Sequence, residues 1–154
     1  SSIDLAQVAF EIHPSGVTIG TIALYDVTDP VEAQVSTEIN LNLSQNVVIY
    51  VRLTDRHTIV PGADRTFVLR GTFSGVSSGD WVSTSLRGDP LPPAPAGRNR
   101  MSGTLDDISD DINSAFIWSD RSVVLHSEST DDWTNGFAVP GLIAPIGPAS
   151  LLSL

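Results

Sequence analysis

Alternation of apolar and polar residues with a period of two limits the possible folds of this chain more than any other feature. Residues 46–54 (NVVIYVRLT) show the alternation most clearly. The residues expected to face inward are Val47, Ile49, Val51 and Leu53. Successive side chains of a β-strand point to opposite faces of a sheet, whereas a helix repeats every 3.6 residues. This segment therefore predicts a strand that is buried on one face.

Similar segments recur along the chain and are separated by turn residues such as Pro14-Ser15-Gly16 and Pro61-Gly62. The other predicted strands are 5–12, 17–27, 31–41, 65–73 and 80–87, followed by short closing strands at 116–119, 121–127 and 136–142. Many strands with glycine and proline turns between them are typical of sandwiches. We therefore predict an all-β fold, an antiparallel immunoglobulin-like or jelly-roll-type β-sandwich, formed by residues 1–154 as a single domain.

Two segments depart from the strand pattern. Residues 88–98 contain four prolines, and because proline lacks a main-chain donor we expect an extended loop there instead of a central strand. Residues 105–115 (LDDISDDINSA) are predicted to form one short acidic helix or turn.

The C-terminal part of the chain carries no charge after Asp132. Such an apolar tail on an acidic protein needs a surface that covers it. Either it packs on its own domain, or it or the apolar first strand crosses to a neighbouring subunit and extends that subunit's sheet. In the second case the connector segments are 1–12 and 140–154. The predicted interface residues are Val8, Phe10, Leu142, Ile143, Ile146, Leu151 and Leu152.

Charge and composition exclude several classes of partner. The chain has 18 acidic and 8 basic residues and a formal net charge of −10, whereas nucleic acids and anionic membranes bind basic surfaces. It has no cysteine, which excludes disulfides and cysteine-based zinc sites. No run of about 18 apolar residues occurs, so we expect no membrane insertion. The Ser1-Ser2 start suggests a processed chain or a piece of a longer one.

Two patterns resemble those of serine hydrolases. Residues 75–79 (GVSSG) match the G-x-S-x-G motif, but that motif requires a strand, a turn and a helix, and here it joins two predicted strands. His126 could form a triad with Ser122 or Ser127 and with Asp120 or Asp131, but nothing in the sequence supplies an oxyanion hole. We therefore predict that the protein is not an enzyme.

Calcium is the metal that the sequence favours, because its ligands are oxygens and the chain is rich in aspartate. The candidate ligands are Asp106, Asp107, Asp110, Asp111 and Asp120. The alternative is that the acidic pairs belong to the first turn of a helix, where the helix dipole stabilises carboxylates. The three histidines, His13, His57 and His126, lack the spacing of metal ligands.

The aromatic residues allow two interpretations. One is a platform on which sugars stack, formed by Trp81, Trp118, Trp133, Tyr25 and Tyr50. The other is a structural clasp within residues 116–136, in which Trp118 and Trp133 anchor a loop of Asx and Ser/Thr turns to the core. The residues predicted to form this clasp are Trp118, Asp120, His126, Asp132 and Trp133.

Three segments are similar to a β-sandwich domain of large, cysteine-free secreted surface proteins of bacteria. They are 16–30 (GVTIGTIALYDVTDP), 62–86 (GADRTFVLRGTFSGVSSGDWVSTSL) and 116–137 (FIWSDRSVVLHSESTDDWTNGF). The shared motifs are Trp118-Ser119-Asp120, His126-Ser127 and Asp132-Trp133-Thr134-Asn135-Gly136, in that order. The resemblance implies a surface layer, stalk or filament and no enzymatic activity.

The leading hypothesis is therefore a non-enzymatic extracellular structural subunit at the cell surface that self-associates into a filament or layer by strand exchange. A carbohydrate-binding or adhesive module, with glycans as partners, is the alternative from a different class. A viral capsid or spike domain is a third possibility, because it shares the fold and the composition.

Overall fold

The period-two segments form antiparallel β-strands in the computed structural model, which describes residues 1–28, 32–90, 114–128, 130–142 and 149–153. The strands are β1 (Ile3–Ser15), β2 (Thr18–Asp26), β3 (Ala33–Gln34), β4 (Ile39–Leu43), β5 (Val47–Ile59), β6 (Phe67–Ser74), β7 (Trp81–Leu86), β8 (Phe116–Ser119), β9 (Trp133–Asn135) and β10 (Ala149–Ser153). They form two sheets that pack against each other as a β-sandwich. The predicted all-β sandwich is confirmed.

The first sheet has six strands and is organised around β1. Along one edge β1 pairs with β5. Along its other edge β8 pairs with the first half of β1 and β7 with the second half, so these two short strands lie end to end. β9 extends the sheet beyond β8, and β10 extends it beyond β7. The first strand of the chain is therefore an internal strand.

The second sheet repeats this plan around β2. β6 pairs with β2 along one edge, and β4 and β3 lie in tandem along the other. The segment after β3 joins the two sheets, because the Val35 amide donates to Leu24 O (2.8 Å) and Val35 O accepts from the Thr54 amide (2.8 Å). One side of the sandwich is thus closed by main-chain hydrogen bonds.

The main core lies between the two sheets. Its buried members are Leu5, Val8, Ile12, Val17, Ile19, Ile22, Leu24, Val35, Ile49, Val51, Leu53 and Val82. In β5 the buried Ile49, Val51 and Leu53 alternate with Tyr50, which is 39% exposed. The inward face predicted for this strand is confirmed. Removing these branched side chains from water is the main force that holds the two sheets together.

The outer face of β1 is also covered, by the segment that follows residue 114. Ala6 packs with Ile117 and the fully buried Trp133 in a second, smaller core. The Gln7 amide group donates to Ser114 O (2.7 Å) and so satisfies a buried polar side chain. The first half of β1, from Asp4 to Ala9, is therefore buried on both faces.

Several details differ from the sequence prediction. Residues 121–127 and 136–142 are turns instead of strands, because Arg121 (φ 52°), Leu125 (φ 64°) and Ala138 (φ 57°) have left-handed backbones that interrupt extended structure. The short acidic helix is not borne out: the described residues contain no helix, and Ser114 and Ala115 lead directly into β8. The rest of that segment, 105–113, and most of the proline-rich loop, 91–98, lie outside the described residues.

Candidate functional site

The most unusual polar group is the His126 ring, which is buried between two carboxylates. Its Nδ1 lies 2.8 Å from Asp132 Oδ2, and its Nε2 lies 3.1 Å from Asp4 Oδ2. The three side chains are only 5%, 0% and 4% exposed, in the order His126, Asp132 and Asp4. The contact at Nε2 lacks the alignment of a hydrogen bond. With Thr130 these residues are called the His126 cluster below.

The Asp132 carboxylate is held in its charged form by hydrogen bonds. Burial raises its pKa, but the Thr130 hydroxyl, the Val123 amide, the His126 ring and its own amide stabilise the anion and together lower the pKa to about 2. The Val123 amide donates to Oδ2 at 3.2 Å, and the Thr130 hydroxyl contacts Oδ1. By accepting these hydrogen bonds, the Asp132 carboxylate holds the loop between β8 and β9 in place.

Asp4 connects this loop to the first strand. Its Oδ1 accepts a hydrogen bond from the Thr58 hydroxyl (2.6 Å) on β5. The guanidinium of Arg121 lies 3.6 Å from the same oxygen. The His126 cluster therefore bridges β1, β5 and the loop after β8.

Both tryptophans of the 116–136 stretch donate a hydrogen bond to a main-chain carbonyl, and Trp133 also packs on the His126 ring. The Trp133 ring lies 5.1 Å from the His126 ring, centroid to centroid, and its indole N–H donates to Ser127 O (2.9 Å). The half-buried Trp118 donates its indole N–H to Asn135 O (3.0 Å). Of the residues predicted to form the clasp, the structure brings together His126, Asp132 and Trp133.

Asp120 stands apart from them. It is exposed, and its Oδ1 accepts a hydrogen bond from the Ser122 amide (3.0 Å), as in an Asx turn. The partner carboxylates of His126 are Asp4 and Asp132, whereas the triad considered from the sequence used Asp120 or Asp131. The imidazole is almost completely buried between its two carboxylates.

The calcium prediction rests largely on residues outside the described ranges, since Asp106, Asp107, Asp110 and Asp111 all lie within 101–113. Within the described ranges, no group of three or more His, Asp or Glu side chains is placed to hold a metal ion. The His126 cluster is not such a group, because its two carboxylates face opposite nitrogens of the ring.

The aromatic platform is not assembled as the sequence suggested. Trp133 is completely buried and Trp118 is half-buried, so neither offers a free ring face to a sugar. Trp81 is 37% exposed and Tyr50 is 39% exposed, but Trp81 lies in β7 and Tyr50 in β5, on opposite sides of β1. The five aromatic residues therefore do not form one continuous surface on which a sugar could stack.

The predicted interface residues fall into three places. Val8 is buried in the core and Phe10 packs against it, both within β1. Leu142 is half-buried at the end of a turn, and Ile143 and Ile146 lie outside the described residues. Leu151 and Leu152 belong to β10, where they pair with Ser83 and Val82 of β7.

Asp89 is an important residue that the sequence analysis missed. Its buried carboxylate accepts hydrogen bonds from the amides of Ala115 (2.6 Å), Phe116 (3.2 Å) and Gly136 (2.7 Å). It therefore ties the segment after β7 to β8 and to the turn after β9. The only signal in the sequence is an aspartate before a proline, Asp89-Pro90, which is also common in ordinary turns.

No helix in the described part of the chain has the length and apolarity needed to cross a membrane. Comparisons with protein-family models, with curated proteins and with solved structures find no match.

Proposed function

We propose that this chain is a non-enzymatic structural subunit of an extracellular filament or surface layer, and that its subunits join by exchange of β10. The observation that carries the proposal is the position of β10, the outermost strand beside β7 in the six-stranded sheet. Only residues 143–148 separate it from the turn that ends at Leu142. The extracellular location rests on the resemblance of the 116–137 motifs to domains of bacterial surface proteins.

The C-terminal strand suits exchange better than the N-terminal strand does. Among the described strands β10 pairs with β7 alone, so its release breaks one ladder. Release of β1 would break its ladders with β5, β7 and β8 and would remove Leu5, Val8 and Ile12 from the core. A strand that leaves one copy and pairs with the next forms the same main-chain hydrogen bonds, which makes such swapping inexpensive in free energy.

Charge also favours a contact through this end of the chain. Copies with a net charge of −10 repel one another in solution. All the charged residues lie in residues 1–132, so a contact made by residues 133–154 adds no like charges at the interface. Salt screens the remaining repulsion, with a Debye length of about 10 Å at 0.1 M. We therefore expect assembly to increase with ionic strength.

Cysteine pairs test the exchange directly, because the natural chain has no cysteine. Leu151 lies opposite Ser83 in the β7–β10 ladder, so the Cβ atoms of these two positions are within the reach of a disulfide. The variants Ser83→Cys and Leu151→Cys are made separately, mixed, allowed to assemble and oxidised. If β10 of one copy pairs with β7 of another, the mixture yields a disulfide-linked heterodimer on a non-reducing gel.

A matched control uses the neighbouring position. Ser150 lies opposite Thr84, one position along the ladder from Ser83. Mixing Ser83→Cys with Ser150→Cys should give little cross-linking. The double variant Ser83→Cys/Leu151→Cys carries both cysteines in one chain. If β10 pairs with β7 of the same copy, the disulfide forms within that chain and prevents exchange. Efficient intramolecular closure that leaves filament formation unchanged in electron micrographs would contradict the proposal.

A further inference from the structure

A small concavity on the outer face of the four-stranded sheet is independent of the proposed assembly. It lies over the paired strands β2 and β6, beside the residue that precedes β4, and has a volume of about 140 Å³. Small-molecule pockets typically measure about 300–1,000 Å³, so this one has room for a single ring-sized group whose remainder stays in solvent. The lining residues that matter here are Thr21, Tyr25, Glu38, Arg70, Gly71 and Thr72.

A β-bulge creates the concavity. Between Ile19 and Ile22, β2 has one residue more than the facing part of β6, so the register shifts there. The Thr21 amide consequently donates to the Thr72 hydroxyl (2.9 Å) instead of to a main-chain carbonyl. Bulges bend the strand and redirect side chains, and they are frequent beside binding and active sites.

Two glycines keep the concavity open at the bulge. A Cβ atom on Gly20 would lie 2.5 Å from the Thr72 hydroxyl oxygen, and one on Gly71 would lie 3.0 Å from Thr21 O. A side chain at either position would therefore occupy the space beside the bulge. Their absence leaves space beside the Thr21 and Thr72 hydroxyls, which are hydrogen-bonded to each other (3.1 Å).

The side chains at the rim combine hydrogen-bond donors and acceptors with one aromatic ring. The Arg70 guanidinium lies 5.3 Å from the centre of the Tyr25 ring and forms an ion pair with Glu32. A guanidinium has five N–H donors, so pairing with one carboxylate leaves others for a ligand. Glu38 is exposed, also lines the concavity and supplies carboxylate acceptors.

This combination points to the chemical class of the ligand. Arg70 is paired with Glu32, Glu38 also lines the concavity, and the protein has a net charge of −10, so an anion is disfavoured there. The hydroxyls of Thr21 and Thr72, the Glu38 carboxylate and the Arg70 guanidinium suit a molecule with several adjacent hydroxyl groups, and the exposed part of the half-buried Tyr25 ring suits its C–H groups. We propose that the concavity binds one neutral sugar ring, either a free sugar or the terminal residue of a glycan.

The test is an NMR titration of the full chain, labelled with ¹⁵N, with the methyl glycosides of glucose, galactose and mannose. Each is added to about 50 mM, because single rings bind weakly. At least one glycoside should give saturable chemical-shift changes in the amides of 20–25 and 70–72. A second pair of titrations, with the free sugar and with a glycan that carries the same ring at its terminus, shows which of the two forms binds more tightly. Sialic acid, which is anionic, should bind at least about tenfold more weakly.

Two variants and a control separate binding from nonspecific effects. Glu38→Gln and Arg70→Gln should each weaken binding about tenfold, since each removes a charged hydrogen-bond partner. Glu11→Gln makes the same change on β1 of the other sheet and should leave binding unchanged. The spectra themselves report whether each variant is folded. Absence of saturable shifts with all three glycosides, equal binding by the variants, or tighter binding of sialic acid would overturn the proposal.

Discussion

Replacement of Asp132 by asparagine should remove a pH-dependent part of the folding free energy. In the folded protein the pKa of Asp132 is about 2, compared with an ordinary value of 3.8. One pKa unit corresponds to about 1.4 kcal/mol, so the difference amounts to about 2 kcal/mol. Because the pKa is lower in the folded state, this stabilisation is fully present above pH 3.8 and is lost as the pH falls through about 2.

The measurement is the free energy of unfolding in urea, followed by tryptophan fluorescence, at a series of pH values from about 5 to about 2. Trp133 is buried and touches the His126 ring, so its emission reports this region. The difference between the natural protein and Asp132→Asn should be largest at pH 5 and should shrink by about 2 kcal/mol at pH 2. Sodium sulfate at about 0.5 M keeps a folded baseline in acid, because it strengthens apolar burial.

Two comparisons make this prediction specific. The pKa of Asp26 is also lowered: burial raises it, but hydrogen bonds from Thr28 and the ion pair with Arg65 outweigh that effect. This contribution is common to both proteins and cancels in the difference. Asp120→Asn, in the same loop but exposed, should change stability by less than about 0.5 kcal/mol. A stability difference for Asp132→Asn that stays constant from pH 5 to pH 2 would refute the reasoning.

Three further changes test other parts of the structure by chemical denaturation. Asp89→Ala should lose about 3 kcal/mol or more, because three amides lose their acceptor, whereas the exposed Asp64→Ala should be nearly neutral. Gly136→Ala should cost about 1–3 kcal/mol, since the new Cβ would lie 2.7 Å from the nearest Cβ. Trp133→Ala should cost about 3–5 kcal/mol, as expected for a fully buried ring, and Trp81→Ala should cost much less because Trp81 is 37% exposed. Equal losses of stability for Asp89→Ala and Asp64→Ala, or for Trp133→Ala and Trp81→Ala, would contradict these predictions. So would an unchanged free energy of unfolding for Gly136→Ala.

The sheet part of the fold was predictable because its pattern is local. In β5 the alternation of Val47, Ile49, Val51 and Leu53 with polar residues determines which face is buried, whatever the partner strand. The loops around β9 were not predictable in the same way. Arg121 and Leu125 adopt left-handed backbones that their side chains do not favour, and the His126 cluster beside them holds the loop in that shape.

The candidate site was predictable only in part, for a similar reason. His126, Asp132 and Trp133 lie within one short stretch, so their composition drew attention to it. Asp4 and Asp89 reach their partners from distant parts of the chain, and nothing in a single sequence indicates such pairs. Asp4 reads as an ordinary polar position of an apolar strand, and Asp89 as a turn residue before proline.

The central position of β1 has a consequence for the order in which the chain folds. This strand precedes all its partners in the chain, which are residues 47–59, 81–86 and 116–119. Contacts between such distant segments form slowly, because each closes a long loop. On the ribosome the apolar strand can pair with β5 once residues 47–59 have emerged, but its other edge stays unpaired until residues 81–86 and 116–119 follow. Its exposure to aggregation is therefore set by the rate of translation as well as by the stability of the finished protein.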